Sequence, residues 1–148
     1  MNLGMLGYFA ALGLGACGSA MGIGLAGQAA IGVFKKAYMA GKSASAVLFA
    51  LVGAPFTQTI YGFILMNTLK ATLDKGIQNP EAILGIGVFG GLGIGVSAWF
   101  QGMAAAAGCD ALGETGKGFG MYMVILGVVE TVAIFAMVFG MLSAGSLA

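Results

Sequence analysis

The chain has 148 residues, of which 59% are hydrophobic and only 7% are charged, and its mean hydropathy is +1.01. A soluble globular domain carries about 25% charged residues, so this composition excludes that class. The net charge of +1 also excludes a nucleic-acid-binding protein, which needs a basic surface.

Long uncharged segments predict four transmembrane helices. Residues 1–34, 43–69 and 82–109 contain no charge, and residues 118–148 contain only that of Glu130. Each segment exceeds the roughly 20 residues with which a helix crosses a bilayer. We therefore predict an all-α membrane protein with helices at about 2–38, 43–71, 80–111 and 117–146. They form two hairpins, residues 1–75 and 76–148, with little extramembrane mass.

The first and third helices are rich in glycine, with nine and eight glycines against two in the second helix. Gly87, Gly91 and Gly95 repeat every fourth residue, as do Gly18 and Gly22, and such faces let helix backbones approach closely. Large side chains occupy the second and fourth helices instead: Phe49, Leu51, Phe56, Ile60, Phe63, Ile64, Leu65, Phe135, Met137 and Phe139. We predict a tight inner layer of helices one and three, with the other two outside against lipid. Cys17 and Cys109 match no metal or disulfide spacing and are predicted to be buried thiols.

The chain is an internal duplication. Residues 41–59 resemble residues 116–131, since each segment opens with Gly-Lys and ends in a polar pair. The second copy ends in Glu130-Thr131 where the first ends in Gln58-Thr59. One copy has thus kept an acid where the other has an amide.

Glu130 lies in an apolar segment with no basic residue within twelve positions on either side. An ionised carboxylate in hydrocarbon costs several kcal/mol, so an intramembrane acid indicates a functional site. Counted from the hairpin tips at about 1.5 Å per residue, Gln58, Gln101 and Glu130 lie at similar depth, about 20–25 Å. Thr57 and Gln58 precede Tyr61 by four and three positions, so the three share one helix face.

Pro55 is predicted to expose a further oxygen at this depth. It has no N–H and its ring crowds the preceding turn, so carbonyl oxygens around Leu51 and Ala54 lose their helical hydrogen bonds. Carboxylate, amide, hydroxyl and carbonyl oxygens are ligands for hard cations. A single carboxylate neutralises a monovalent ion, whereas a divalent ion would leave a positive charge in the membrane. A proton would need only the carboxyl group and one acceptor. These residues therefore favour Na⁺ and leave H⁺ open, together with the alternative that the two glutamines only bond helices together.

Three segments carry a family resemblance: "APFTQTIYGF" (Ala54–Phe63), "FQGMAAAAG" (Phe100–Gly108) and "VVETVAIF" (Val128–Phe135). In this order on four duplicated helices, they resemble the rotor-ring proteolipid of V/A-type rotary ATPases, above all subunit K of bacterial sodium-pumping V-type ATPases. The resemblance spans essentially the whole chain. It implies a membrane ring of identical subunits, with helices one and three inside and helices two and four facing a stator.

The resemblance also implies residue roles. Glu130 is expected to carry the ion, and its other ligands are expected to be Gln58, Thr57, Gln101 and the backbone carbonyl of Ala54. Tyr61 is expected to hydrogen-bond Glu130 and close the site. Thr131 is an additional candidate only, because a hydroxyl residue often follows the acid in sodium-binding rings. Gln28 lies at a similar depth on the inner helix but has no counterpart in the site, and its predicted role is packing or lining of the inner layer.

The implied mechanism is rotation driven by ATP hydrolysis in partner subunits, since the sequence has no nucleotide site and the chain is not expected to be an enzyme by itself. A neutral, ion-loaded Glu130 can face lipid, and an ionised one cannot. The implied partners are other copies, lipid, a stator subunit with an essential arginine, and a central stalk at loops 35–42 and 110–117. Four lysines in these loops, against two in the middle loop, favour cytoplasmic tips and both termini outside. A proton-carrying ring, a stand-alone ion-coupled transporter and a purely structural membrane protein remain as alternatives, in that order.

Overall fold

The computed structural model describes residues 3–77 and 79–147, and these residues form four long helices. Helix α1 spans Leu3–Met39, α2 spans Leu48–Asp74, α3 spans Pro80–Thr115 and α4 spans Phe119–Gly145. Each helix is long and apolar enough to cross a membrane, and the described residues contain no strand. The predicted all-α membrane fold is confirmed.

Helix α2 is interrupted at the proline. Residues Leu48–Gly53 and Thr57–Asp74 are α-helical, and a 3₁₀ turn at Ala54–Phe56 joins them. The turn lies where Pro55 removes one intrahelical hydrogen bond and crowds the preceding turn. The sequence thus located the irregularity correctly, but α2 begins at Leu48 rather than near residue 43. Residues 42–45 have no regular structure, and the backbone N–H of Leu48 bonds the carbonyl of Ser45.

The glycine faces bring α1 and α3 into the most extensive helix contact of the molecule. A Cβ atom at Gly18 would overlap the backbone of Gly95, and one at Gly87 would overlap the backbone of Gly7. Gly91 packs in the same way against the backbone of Ala10 and Ala11. The predicted small-residue packing between the first and third helices is confirmed, because only hydrogen fits at these positions.

The large side chains of α2 and α4 divide between the protein surface and the interior. Phe49, Phe56, Phe63, Phe135 and Phe139 are exposed on the single chain, as expected for an outer layer. Leu51 and Leu65 are fully buried instead. The predicted outer layer did not specify the burial of these two residues, which arises because helices that pack on one side turn part of their apolar surface inward.

Two apolar clusters fill the space between the helices. One contains Leu48, Leu51, Cys109 and Leu126 toward the tips, and the other contains Leu65, Leu69, Ile83 and Ile94 toward the termini. The polar residues of α2, α3 and α4 lie between these two clusters. Cys109 is buried, but the prediction of a buried thiol was wrong for Cys17, which is exposed on the outer side of α1.

Candidate ion-binding site

The carboxylate of Glu130 lies half-buried in the middle of α4, with a hydrogen-bond donor at each oxygen. The hydroxyl of Tyr61 donates to Oε1 at 2.7 Å, and Nε2 of Gln101 lies 3.3 Å from Oε2. Tyr61 comes from α2 and Gln101 from α3, so three helices meet at the acid. Hydrogen bonds to a carboxylate inside an apolar region offset part of the cost of removing it from water.

Gln58 and Gln101 link the two halves of the chain and are both completely buried. Nε2 of Gln58 donates to Oε1 of Gln101 at 2.8 Å. Nε2 of Gln101 donates in turn to the carbonyl of Leu126 at 2.9 Å, one turn before Glu130. A continuous hydrogen-bonded path therefore runs from α2 through α3 to the carboxylate on α4.

Three oxygens gather at the 3₁₀ turn of α2. The hydroxyl oxygen of Thr57 lies 3.0 Å from the carbonyl oxygen of Ala54 and 3.1 Å from Oε1 of Gln58. A hydroxyl has one proton and can donate to only one of these oxygens at a time. Among the hydrogen bonds of the described residues, Oε1 of Gln58 has no other donor. This cluster is rich in lone pairs and poor in protons, and such an arrangement attracts a cation.

The residues present fit a small monovalent cation. They supply one negative charge and several neutral oxygens from Glu130, Gln58, Gln101, Thr57 and Ala54. Hard cations prefer such ligands, and one carboxylate compensates one positive charge. Within the described residues, no three His, Cys, Asp or Glu side chains come together as a metal site.

Two further polar residues lie away from this cluster. The hydroxyl of Thr131 donates to the carbonyl of Val128 on its own helix at 2.6 Å, and the side chain is exposed. Gln28 is exposed on α1 in a shallow depression beside Met21 and Trp99. The other predicted site residues are connected by hydrogen bonds, and these two are not part of that network.

Sequence reasoning missed Ser97. Its hydroxyl donates to the carbonyl of Val129 at 2.8 Å, immediately before Glu130 in the chain. Ser97 lies four positions before Gln101 and shares its face of α3, so helical spacing could have found it. A serine in a glycine-rich helix is otherwise indistinguishable from a small packing residue.

The sequence of this chain is similar to those of known subunits of ATP synthases. Residues 84–143, which include Gln101 and Glu130, match the family model of the ATP synthase C subunit. The A-type ATP synthase subunit K of Methanocaldococcus jannaschii is 36% identical over 140 residues, which cover 95% of this chain. Together these matches support the rotor-ring proteolipid family for this chain. The matched region spans 60% of the length of that relative.

The family resemblance predicted from the three segments on α2, α3 and α4 is thereby confirmed. The similarity to one subunit of a larger complex agrees with the prediction that the chain is not an enzyme by itself. The chain is a multi-pass membrane protein, with four helices that can cross the bilayer. The narrower resemblance to sodium-pumping V-type ATPases stays a prediction, and so do the residue roles.

Proposed function

We propose that the chain is the ion-carrying membrane rotor subunit of a V/A-type rotary ATPase and moves Na⁺ by rotation of a ring of identical copies. The observation that carries the proposal is the half-buried Glu130 in the middle of the apolar helix α4, with donors from Tyr61 and Gln101 on its two oxygens. The family match supports the rotor role. ATP hydrolysis would take place in partner subunits.

The preference for Na⁺ over H⁺ is supported by the oxygens around Thr57. A proton carrier needs a carboxyl group and one acceptor, and Tyr61 with Glu130 already supplies both. The neighbouring oxygens of Thr57, Gln58 and Ala54 exceed that requirement. The Gln58 and Ala54 oxygens lie within 3.1 Å of the Thr57 hydroxyl oxygen. Ligands beyond the carboxylate replace the hydration shell that Na⁺ must lose to enter the membrane.

The mechanism follows from the charge of Glu130. When the carboxylate binds a cation, the site is neutral and can rotate past lipid, but an ionised empty site cannot. Ions enter and leave where an aqueous half-channel of the stator meets the ring. A stator arginine there stabilises the empty carboxylate and keeps loaded and empty sites apart. Tyr61 opens the site when its hydroxyl leaves Glu130, because its side chain is only half-buried and contacts the carboxylate directly.

The hairpin tips at 35–42 and 110–117 are the proposed contact with a central stalk. Lys36 lies 3.6 Å from both Asp110 and Glu114, which ties α1 to α3 at this end. These pairs involve the two acidic residues of the tips, while Lys35, Lys42 and Lys117 add further positive charge. The proposal puts the tips on the cytoplasmic side and both termini outside, and the lysine distribution supports this orientation.

The proposal is tested by the reaction of a hydrophobic carbodiimide with Glu130 in the purified protein, with and without Na⁺. We expect Na⁺ to slow the modification and K⁺ at equal ionic strength to leave it unchanged. Modification that responds to pH alone would make the cargo a proton and retain the rotor. No reaction at Glu130 would overturn the rotor itself. Ion transport by the purified chain alone would support a stand-alone transporter instead.

A further inference from the structure

Two hydrogen bonds hold the backbone of α4 against α3 in the turn that precedes Glu130. The hydroxyl of Ser97 donates to the carbonyl of Val129, and the amide of Gln101 donates to the carbonyl of Leu126. Val129 directly precedes Glu130, and Leu126 lies one turn earlier. Both donors are buried, at 5% and 0% exposure.

The α3 side of Glu130 therefore has main-chain hydrogen bonds in addition to the contact of Gln101 with the carboxylate, whereas among the described residues the α2 side has only the bond from Tyr61. Toward α3, its helical turn is held through main-chain atoms by donors shielded from water, where such bonds are difficult to replace. Toward α2, the carboxylate itself is held by the hydroxyl of Tyr61, a half-exposed side chain. A site that must open and close can move a side chain more readily than a helix held at two points.

We propose that Ser97 is a positioning residue for the ion site, which fixes the depth and orientation of Glu130 through the carbonyl of Val129. Gln101 shares this role and also contacts the carboxylate, whereas Ser97 acts on the backbone alone. The inference deepens the proposed function and rests on it. It implies that opening occurs on the α2 side, with α4 stationary against α3.

The bond geometry explains how a hydroxyl remote from the ion can affect it. Ser97 and Gln101 are one turn apart on α3, and their acceptors are three residues apart on α4. Loss of one bond leaves a single hydrogen bond from α3 to the backbone of this α4 turn, and the turn can then rotate about it. Glu130 follows the lost attachment directly, so its carboxylate would depart from the ligands on α2. Site ligands generally need placement within about 0.5 Å, so small rotations weaken binding.

The test compares Ser97→Ala with Ser19→Ala, a matched control. Ser19 is a buried serine on α1, and its hydroxyl has no hydrogen-bond partner among the described residues. For each variant we would determine the Na⁺ concentration that halves carbodiimide modification of Glu130, together with the Tm of the purified protein. Ser97→Ala should raise that concentration about three- to tenfold, the scale of one lost buried hydrogen bond. Ser19→Ala should change it less than about twofold, and Ser97→Thr, which keeps the hydroxyl, should restore most of the affinity.

Equal Na⁺ requirements in Ser97→Ala and Ser19→Ala, whatever their Tm values, would overturn the proposal, since a merely structural serine changes stability alone. If Ser97→Ala does not assemble, Ser97→Cys keeps the side-chain size with a much weaker donor, and an unchanged Na⁺ requirement there has the same meaning. If Na⁺ does not protect the parent protein, the sodium proposal fails separately. The modification rate at fixed pH then takes its place, and it should rise about threefold or more in Ser97→Ala and not in Ser19→Ala.

Discussion

The side-chain amide of Gln58 donates a 2.8 Å hydrogen bond to Oε1 of Gln101, and this bond joins the two halves of a duplicated chain at the depth of Glu130. Gln58 occupies the position in the first half that Glu130 occupies in the second. The duplication thus supplied one acid and one amide, and the fold placed both in a single network. A second acid at position 58 would place two negative charges in one buried site, which like-charge repulsion disfavours.

Replacement of Gln58 by alanine should weaken Na⁺ binding by at least about tenfold. The change removes one proposed ligand oxygen and leaves the buried Oε1 of Gln101 without its donor, which costs about 1–3 kcal/mol. The measurement is the Na⁺ concentration that halves carbodiimide modification. Gln28→Ala, which truncates an exposed glutamine on α1, is the control and should leave this concentration unchanged. Equal values in the two variants would remove Gln58 from the ligand set.

The change Tyr61→Phe should accelerate ion exchange more than it weakens binding. It removes only the hydroxyl that donates to Glu130 and keeps the ring that fills the space between α2 and α4. We expect release of bound ²²Na⁺ to be about tenfold faster or more, since one charge-assisted hydrogen bond contributes about 1.5–3 kcal/mol. Tyr38→Phe, at the exposed end of α1, controls for the substitution itself. An unchanged release rate would contradict the closing role of Tyr61.

Protons should compete with Na⁺ for the site, because both neutralise the same carboxylate. The Na⁺ concentration that halves modification should therefore rise as pH falls, by up to about tenfold per pH unit, the limit for one proton that competes with one ion. The measurement is the same protection assay at a series of pH values and constant ionic strength. A Na⁺ requirement independent of pH over the whole range would place the protecting ion elsewhere than at Glu130.

The close approach of α1 and α3 should tolerate no added methyl group at Gly18. A Cβ there overlaps backbone atoms of Gly95, which cannot rotate away as a side chain could. We expect Gly18→Ala to lower the Tm of the purified protein by several degrees or to prevent assembly, since overpacking costs about 1–3 kcal/mol or more. Gly24→Ala is the control, because a Cβ at Gly24 meets no atom within 4 Å in the single chain. A Gly18→Ala protein with the Tm of the control would refute the packing argument.

The sequence predicted the common depth of the buried polar residues better than it predicted the helix ends. Gln58, Gln101 and Glu130 could be placed at one depth because helical rise is constant. The start of α2 was misplaced because the first residues of the uncharged segment 43–69 form a turn, and hydropathy does not distinguish an apolar turn from an apolar helix. The burial of Leu51 and Leu65 was also missed, because hydropathy does not distinguish lipid from protein interior as the surroundings of a leucine.

The sequence by itself determined the four membrane helices, the duplication, the family and the depth of one buried acid, because these follow from hydropathy, helical rise and local residue order. The tertiary structure decided which side chains meet. Helical periodicity states which residues share a face of one helix, but it does not state how that helix is rotated against its neighbours. The contact of Gln58 with Gln101, the bond from Ser97 to Val129 and the outward turn of Thr131 depend on those rotations. They are set by close packing of the glycine faces of α1 and α3 and of the apolar clusters on either side of the site.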